Sequence, residues 1–265
     1  LPLNVSRELL QQDRQIQSIR KYLVQKVLET LKQPKKDDEE KYLAFWAEFG
    51  AVLKEGLLDW DEKKDRVLDL VLARSTHDAA KLTSLGDYVE RIQEGQEEIY
   101  YLVGPPIDVL ANSPHLVAFK EKGIEVLLFA DPVDEVWLQQ MPPEFKGKKF
   151  KSAGRGEVNL DESGGSEKDE ESKQEEESYS DLLAALETGV ESHVKEVRIS
   201  KRLTSSPACL VREDGDMSPQ LEAMLRQAGQ EVPSSQPILE VNPSHPLLKR
   251  LQEIFDEDAK DARIA

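Results

Sequence analysis

Residues 99–130 read IYYLVGPPIDVLANSPHLVAFKEKGIEVLLFA. Two runs in this stretch, IYYLV at 99–103 and IEVLLFA at 124–130, are short, apolar and rich in β-branched and aromatic side chains, as buried strands are. Between them Ser113 suits a helix N-cap, Pro114 the first helical position and Gly123 the C-terminal end. Strand, crossover helix, strand predicts a parallel pair with a right-handed connection. SLGDYVERIQEG before the first strand and DPVDEVWLQQM after the second add helices, so residues 82–150 are expected to form a small α/β domain.

Upstream the period changes to that of helices. Ile16, Ile19, Leu23, Val27 and Leu31 make one stripe of a helix expected to end near Pro34. Tyr42, Trp46, Phe49 and Leu53 make a second, opened by Asp37 and Asp38 and closed by Gly56. Val67, Leu68, Val71 and Leu72 make a third set, so residues 6–75 predict a three-helix unit inside a first segment, 1–81. Trp46 and Trp60 read as core aromatics rather than as a stacking surface. Downstream, YSDLLAALETGV, MSPQLEAMLRQAG and PLLKRLQEIF read as helices, and VKEVRIS, ACLVRE and PILEVN as strands. Residues 181–265 are therefore expected to be a mixed α+β domain, and the fold class is α/β followed by α+β.

The chain has 265 residues, 38% of them hydrophobic, and a formal net charge of −17. That balance argues against nucleic acid as a partner, because a polyanion is bound by neutralising its phosphates with Lys and Arg. No window reaches the roughly 20 apolar residues of a membrane span, so no membrane partner is expected. Between Asp161 and Asp181 ten acidic residues stand against Lys168 and Lys173, with glycine and five serines among them. So little apolar surface cannot offset ordering entropy, and residues 151–180 are expected to be an acidic flexible linker. EFKGKKFKSAGR just before it carries five basic residues and one acid and suits an acidic surface. Cys209 is the single cysteine, read as a buried structural thiol, and it fits a reducing cytoplasm.

Chemistry is sparse. No phosphate-binding glycine loop is present, and His77, His115, His193 and His245 are scattered singly, so no metal site is expected. At the start of the chain, LPLNVSRELLQQ lacks the features of a secretory leader and is read as beginning mid-protein. There Arg7 and Gln11 share a helical face at i and i+4. A guanidinium beside an amide is what a transferring γ-phosphate uses, although exposed Arg and Gln are as a rule simply solvated. Met217, Leu221, Met224 and Leu225 form an apolar helical stripe, which periodicity alone leaves as either core or a binding face.

LPLNVSRELLQQ resembles the catalytic-loop motif in the middle domain of the heat shock protein 90 chaperones. EKYLAFWAEFGAVLKEG, LGDYVERIQEGQEEIYYLVG, SPHLVAFKEKGIEVLLFADPVDE and EFKGKKF continue that family's pattern in order. So do VKEVRISKRLTSSPACLV, DMSPQLEAMLRQAGQEVP and LEVNPSHPLLKRL, most like the bacterial branch. The resemblance spans essentially everything outside the acidic segment. It implies the later part of a middle domain plus a C-terminal domain that stops before the dimerisation helices.

What the resemblance implies about function is specific. Arg7 is expected to reach the γ-phosphate of ATP held with Mg2+ in a separate N-terminal nucleotide-binding domain, assisted by Gln11. The whole protein is then an ATPase and a homodimer, and this chain alone binds no cofactor and is inactive in turnover. Client contacts are implied for Met217, Leu221, Met224 and Leu225. They are also implied near DEVWLQQM, at Glu135 and Trp137, where the family has its aromatic residue directly after the D-E pair and this chain has Val136. The partners expected are unfolded or partly folded proteins, and the location is cytoplasmic. The alternative is a binding module that holds clients without nucleotide.

Overall fold

The computed structural model describes residues 14–58, 64–104, 106–140, 144–156, 167–232, 235–259, 261 and 264. The chain divides into two compact units after Leu72.

The first unit is helical. Helix α1 (Arg14–Asp37) runs three residues beyond the expected stop at Pro34; its last turn keeps the Asp38 N–H to Pro34 carbonyl bond. Proline lacks its own N–H but remains a good acceptor, so it need not end a helix. The predicted stripe of α1 does not become core: Ile19, Leu23 and Val27 are exposed, and Leu28 is the buried residue. Helix α2 (Glu39–Glu55) starts at Asp38, whose side chain accepts from the Lys41 N–H, and buries Tyr42 and Trp46 as expected. The Tyr42 hydroxyl donates to the Leu70 carbonyl at 2.5 Å. Gly50 lies under the Trp46 ring, where a Cβ would come within 2.8 Å. Helix α3 is short (Lys64–Leu68), and the apolar set expected to continue it passes at Leu72 into a strand instead. Trp60 lies outside the described residues.

The second unit holds two sheets. Strands β1 (Leu72–Ser75), β2 (Thr83–Ser84), β3 (Glu98–Val103), β4 (Leu127–Phe129), β5 (Glu144–Phe145) and β6 (Lys148–Ser152) form one sheet in the order β2-β1-β4-β3-β6-β5. β3 and β4 are parallel as the crossover predicts, with Tyr101 opposite Leu127 and Val103 opposite Phe129. The connection comprises α5 (Ile107–Ala111), a 3-10 turn capped by Ser113, and α6 (Val117–Glu121), after which Gly123 takes a left-handed φ of 66°. Helix α4 (Leu85–Arg91) is opened by a capping box in which Ser84 and Asp87 satisfy each other's backbone N–H groups. One face of the sheet packs Tyr100, Leu102 and Leu128 on Leu110, Leu116 and Phe119. Helix α7 (Pro132–Gln140) follows β4.

EFKGKKFKS forms a hairpin of β5 and β6. Its two-residue turn is Lys146–Gly147, both at positive φ, and β6 pairs in parallel with β3. The expected acidic linker spans residues 151–180. Helix α8 (Glu167–Val190) occupies its second half, since Glu, Lys, Gln, Ala and Leu are strong helix formers. The C-terminal part of α8 is anchored by Leu182, which is fully buried.

The second sheet has the order β7-β9-β8, from β7 (Glu196–Ile199), β8 (Ala208–Val211) and β9 (Ile238–Val241). Helix α8 and helix α10 (Pro246–Glu257) cover one face, with Leu182, Val197, Ile199, Val241, Leu248 and Ile254 in the core. On the other face Leu203, Cys209, Val211 and Ile238 cluster, and the Cys209 thiol is pushed up to about 12, mainly by burial.

The two sheets meet through buried polar groups. Glu240 accepts from Arg198 at 2.8 Å, Arg202 at 2.9 Å and Ser200 at 2.9 Å. Arg202, 2% exposed, then crosses to the first sheet and donates to the carbonyls of Ala153 (2.8 Å) and Gly156. His115 sits beside this cluster with its Nδ1 unpartnered. Its pKa is pushed down to about 4, first by burial and then by the charge of Arg202.

Candidate functional site

Helix α9 (Pro219–Gln227) carries Leu221, Met224 and Leu225 of the residues that the sequence singles out, and Met217 stands just before its cap. Ser218 caps it, its hydroxyl accepting from the Leu221 N–H at 3.0 Å, and Pro219 stands at the first turn. At the other end Gly229 takes a φ of 79°. A short helix of this amphipathic pattern ordinarily turns its apolar stripe inward. Here the stripe faces outward. Met217 and Met224 are 36% and 42% exposed, and Leu221 and Leu225 are half-buried between them.

The helix is held instead by its polar side. Glu222 is buried and pairs with Arg212 at 2.6 Å, and Arg212 also donates to the Ser235 hydroxyl at 2.5 Å. Arg226 reaches the second Glu222 oxygen at 3.6 Å. The loop leading into α9 is fixed by Gln139 of α7, whose amide donates to the Asp216 carbonyl at 2.8 Å. A charge pair with little solvent access is firm if every lone pair is met, and this one leaves the apolar stripe free for another molecule. Sequence reasoning missed Glu222, Arg212 and Gln139, because their roles depend on long-range partners and no local pattern marks them.

The other expected contact residues are placed differently. Trp137 is 3% exposed, its Nε1 donating to Asp134 at 2.8 Å. Its ring stands edge-on to Phe129 and Phe150. Glu135 is 4% exposed and pairs with Arg155 at 3.2 Å. Both side chains are buried in the packing around α7. The residue at the family's aromatic position, Val136, is half-buried. Arg7 and Gln11 lie outside the described residues. Among the described residues no group of three or more His, Cys, Asp or Glu is placed to hold a metal ion, and none of the helices is long and apolar enough to cross a membrane.

The family model described as Hsp90 protein matches residues 1–265. The chain belongs to the Hsp90 family. Curated relatives of this Hsp90 chain include proteins named Chaperone protein HtpG. That of Nocardia farcinica is 50% identical over 270 residues, covering 99% of the chain and 40% of the relative. That of Frankia casuarinae is 47% identical over 265 residues, covering 100% and 41%, and that of Magnetococcus marinus is 50% identical over 264 residues, covering 97% and 41%. The Hsp90 chain thus spans about two fifths of the length of these relatives.

Proposed function

We propose that this part of an Hsp90 chaperone holds unfolded or partly folded proteins on the outward stripe of α9. The observation that carries the reading is the exposure of Met224, beside Leu221 and Leu225, on a helix fastened by its polar side, and of Met217 just before the cap of that helix. Thioether side chains are flexible and polarizable, so such a surface adapts to many apolar partners without a fixed shape. Exposed backbone and apolar segments of a client would bury area against this stripe at about 25 cal/mol per Å2. Glu135 and Trp137 act behind this surface as packing groups, not as contacts.

For the whole protein we infer ATP-driven cycling in the cytoplasm as a homodimer. Arg7 and Gln11 are assigned to a loop that meets ATP and Mg2+ bound by a separate domain. Arg7 would contribute positive charge toward the γ-phosphate, and Gln11 an amide that orients water. This reading draws on the family resemblance of the SRELLQQ stretch at residues 6–12.

The test of the holding surface is suppression of aggregation of a heat-denatured enzyme by this chain. Replacing Met217, Leu221 and Met224 together by Ser should abolish suppression while circular dichroism stays unchanged; suppression that survives with folding intact refutes the assignment. For the loop, Arg7→Ala in the protein joined to its nucleotide-binding domain should lower ATP turnover with nucleotide affinity nearly constant. Equal turnover would make Arg7 a solvated residue.

A further inference from the structure

Sulfur is unevenly distributed between shielded and open positions. The chain has one cysteine and three methionines, Cys209, Met141, Met217 and Met224. Cys209 is buried between Leu203, Val211 and Ile238, and with its pKa pushed up to about 12 it carries almost no thiolate, the form that oxidants attack. Met217 and Met224 are the opposite case. They stand seven residues apart, Met217 just before the Ser218 cap and Met224 on α9, at 36% and 42% exposure, and a thioether needs no deprotonation to react. Among the described sulfur atoms, these two are therefore the ones an oxidant in solution meets first.

We propose that Met217 and Met224 form a reversible oxidation site that releases clients from α9 under peroxide stress. This rests on the reading that α9 holds them. The oxidant is a hydroperoxide. A sulfur lone pair attacks its terminal oxygen, the O–O bond breaks as the S–O bond forms, and the proton on the transferred oxygen passes to the leaving oxygen, so that the thioether loses two electrons and the hydroperoxide is reduced to an alcohol, or to water where it is hydrogen peroxide. The product is a sulfoxide, a strong acceptor on a chiral sulfur in place of an apolar one. Two of the four stripe positions then favour water over a client. The fold is spared, because α9 is anchored by Glu222 and Arg212 and neither methionine is buried. Methionine sulfoxide reductases return the sulfur to its reduced state, so the change can act as a switch rather than as damage.

The experiment treats the full chain with hydrogen peroxide, maps oxidation by peptide mass spectrometry, and measures suppression of aggregation before and after. Each protein is compared with its own untreated state. The expected result is one added oxygen at each of Met217 and Met224 and a rise of roughly fivefold or more in the chain concentration needed for half-suppression, with an unchanged unfolding midpoint. A sulfoxide reductase pair should reverse it. The double variant Met217→Leu with Met224→Leu retains Met141 and should show no such ratio on treatment. Full oxidation at both residues with undiminished holding overturns the proposal, as does resistance of both to peroxide that oxidises free methionine. An untreated chain that holds no client, or holds equally well after the triple Ser substitution, refutes the underlying α9 reading instead; the mass map still reports whether the sulfurs react.

Discussion

His115 makes folding stability depend on pH in a calculable way. In the unfolded chain its imidazole titrates at the ordinary value of 6.5; in the fold it is pushed down to about 4 by burial and by Arg202, and its Nδ1 has no partner. Above pH 6.5 both states hold a neutral ring, and the group costs nothing. As pH falls below 6.5 the unfolded chain takes up a proton that the folded chain refuses, so stability declines until about pH 4, where both are protonated and the loss levels off. A gap of 6.5 to about 4 at 1.36 kcal/mol per unit corresponds to about 3 kcal/mol. Carboxylates also protonate in this window, and substitution isolates the His115 part. Urea unfolding of the natural chain and of His115→Gln, followed by tryptophan emission at pH 7.5 and pH 4, gives two losses whose difference should be about 3 kcal/mol, larger in the natural chain. Equal losses would refute the burial argument.

Other perturbations test the packing. Glu240→Gln leaves Arg198 and the buried Arg202 facing an amide, and it should cost about 3–5 kcal/mol in urea unfolding; a cost under about 1 kcal/mol would show that the arginines find other acceptors. Trp137→Phe keeps an aromatic ring near Phe129 and Phe150 but strips a partner from fully buried Asp134, which predicts a loss of about 1–3 kcal/mol by the same assay. Gly50→Ala gains about 1 kcal/mol of helix propensity yet forces the Trp46 ring aside, so calorimetry should show a lowered rather than raised midpoint.

The legible parts of this chain were those where local chemistry and global packing agree. IYYLV and IEVLLFA are apolar without alternation because β3 and β4 are sandwiched between layers, and Ser113, Pro114 and Gly123 mark the crossover between them. Four features were harder. Val71 and Leu72 continue a helical spacing but enter a strand, because β1 pairs with β4, a partner more than fifty residues away. The β5–β6 hairpin hid in a lysine-rich stretch whose decisive signal was the Lys146–Gly147 pair. The acidic segment looked unable to order itself, yet Leu182 and its neighbours at the far end of α8 fasten the helix to the second sheet. At α9 the periodicity displays a stripe but not the side that is covered. That depended on the Glu222–Arg212 pair, which joins residues on different elements.

The joint built from Arg198, Arg202, Ser200 and Glu240 also has a thermal character. Hydration of charged groups becomes less favourable as temperature rises, so the penalty for keeping these ions dry falls just where apolar contacts stop gaining strength. Their burial also keeps them out of reach of screening ions, so added salt should leave the joint alone while it loosens exposed pairs such as Arg250 and Glu253. A seam made of apolar side chains would gain strength on warming only up to a plateau, whereas the cost of keeping this ionic seam dry goes on falling beyond it.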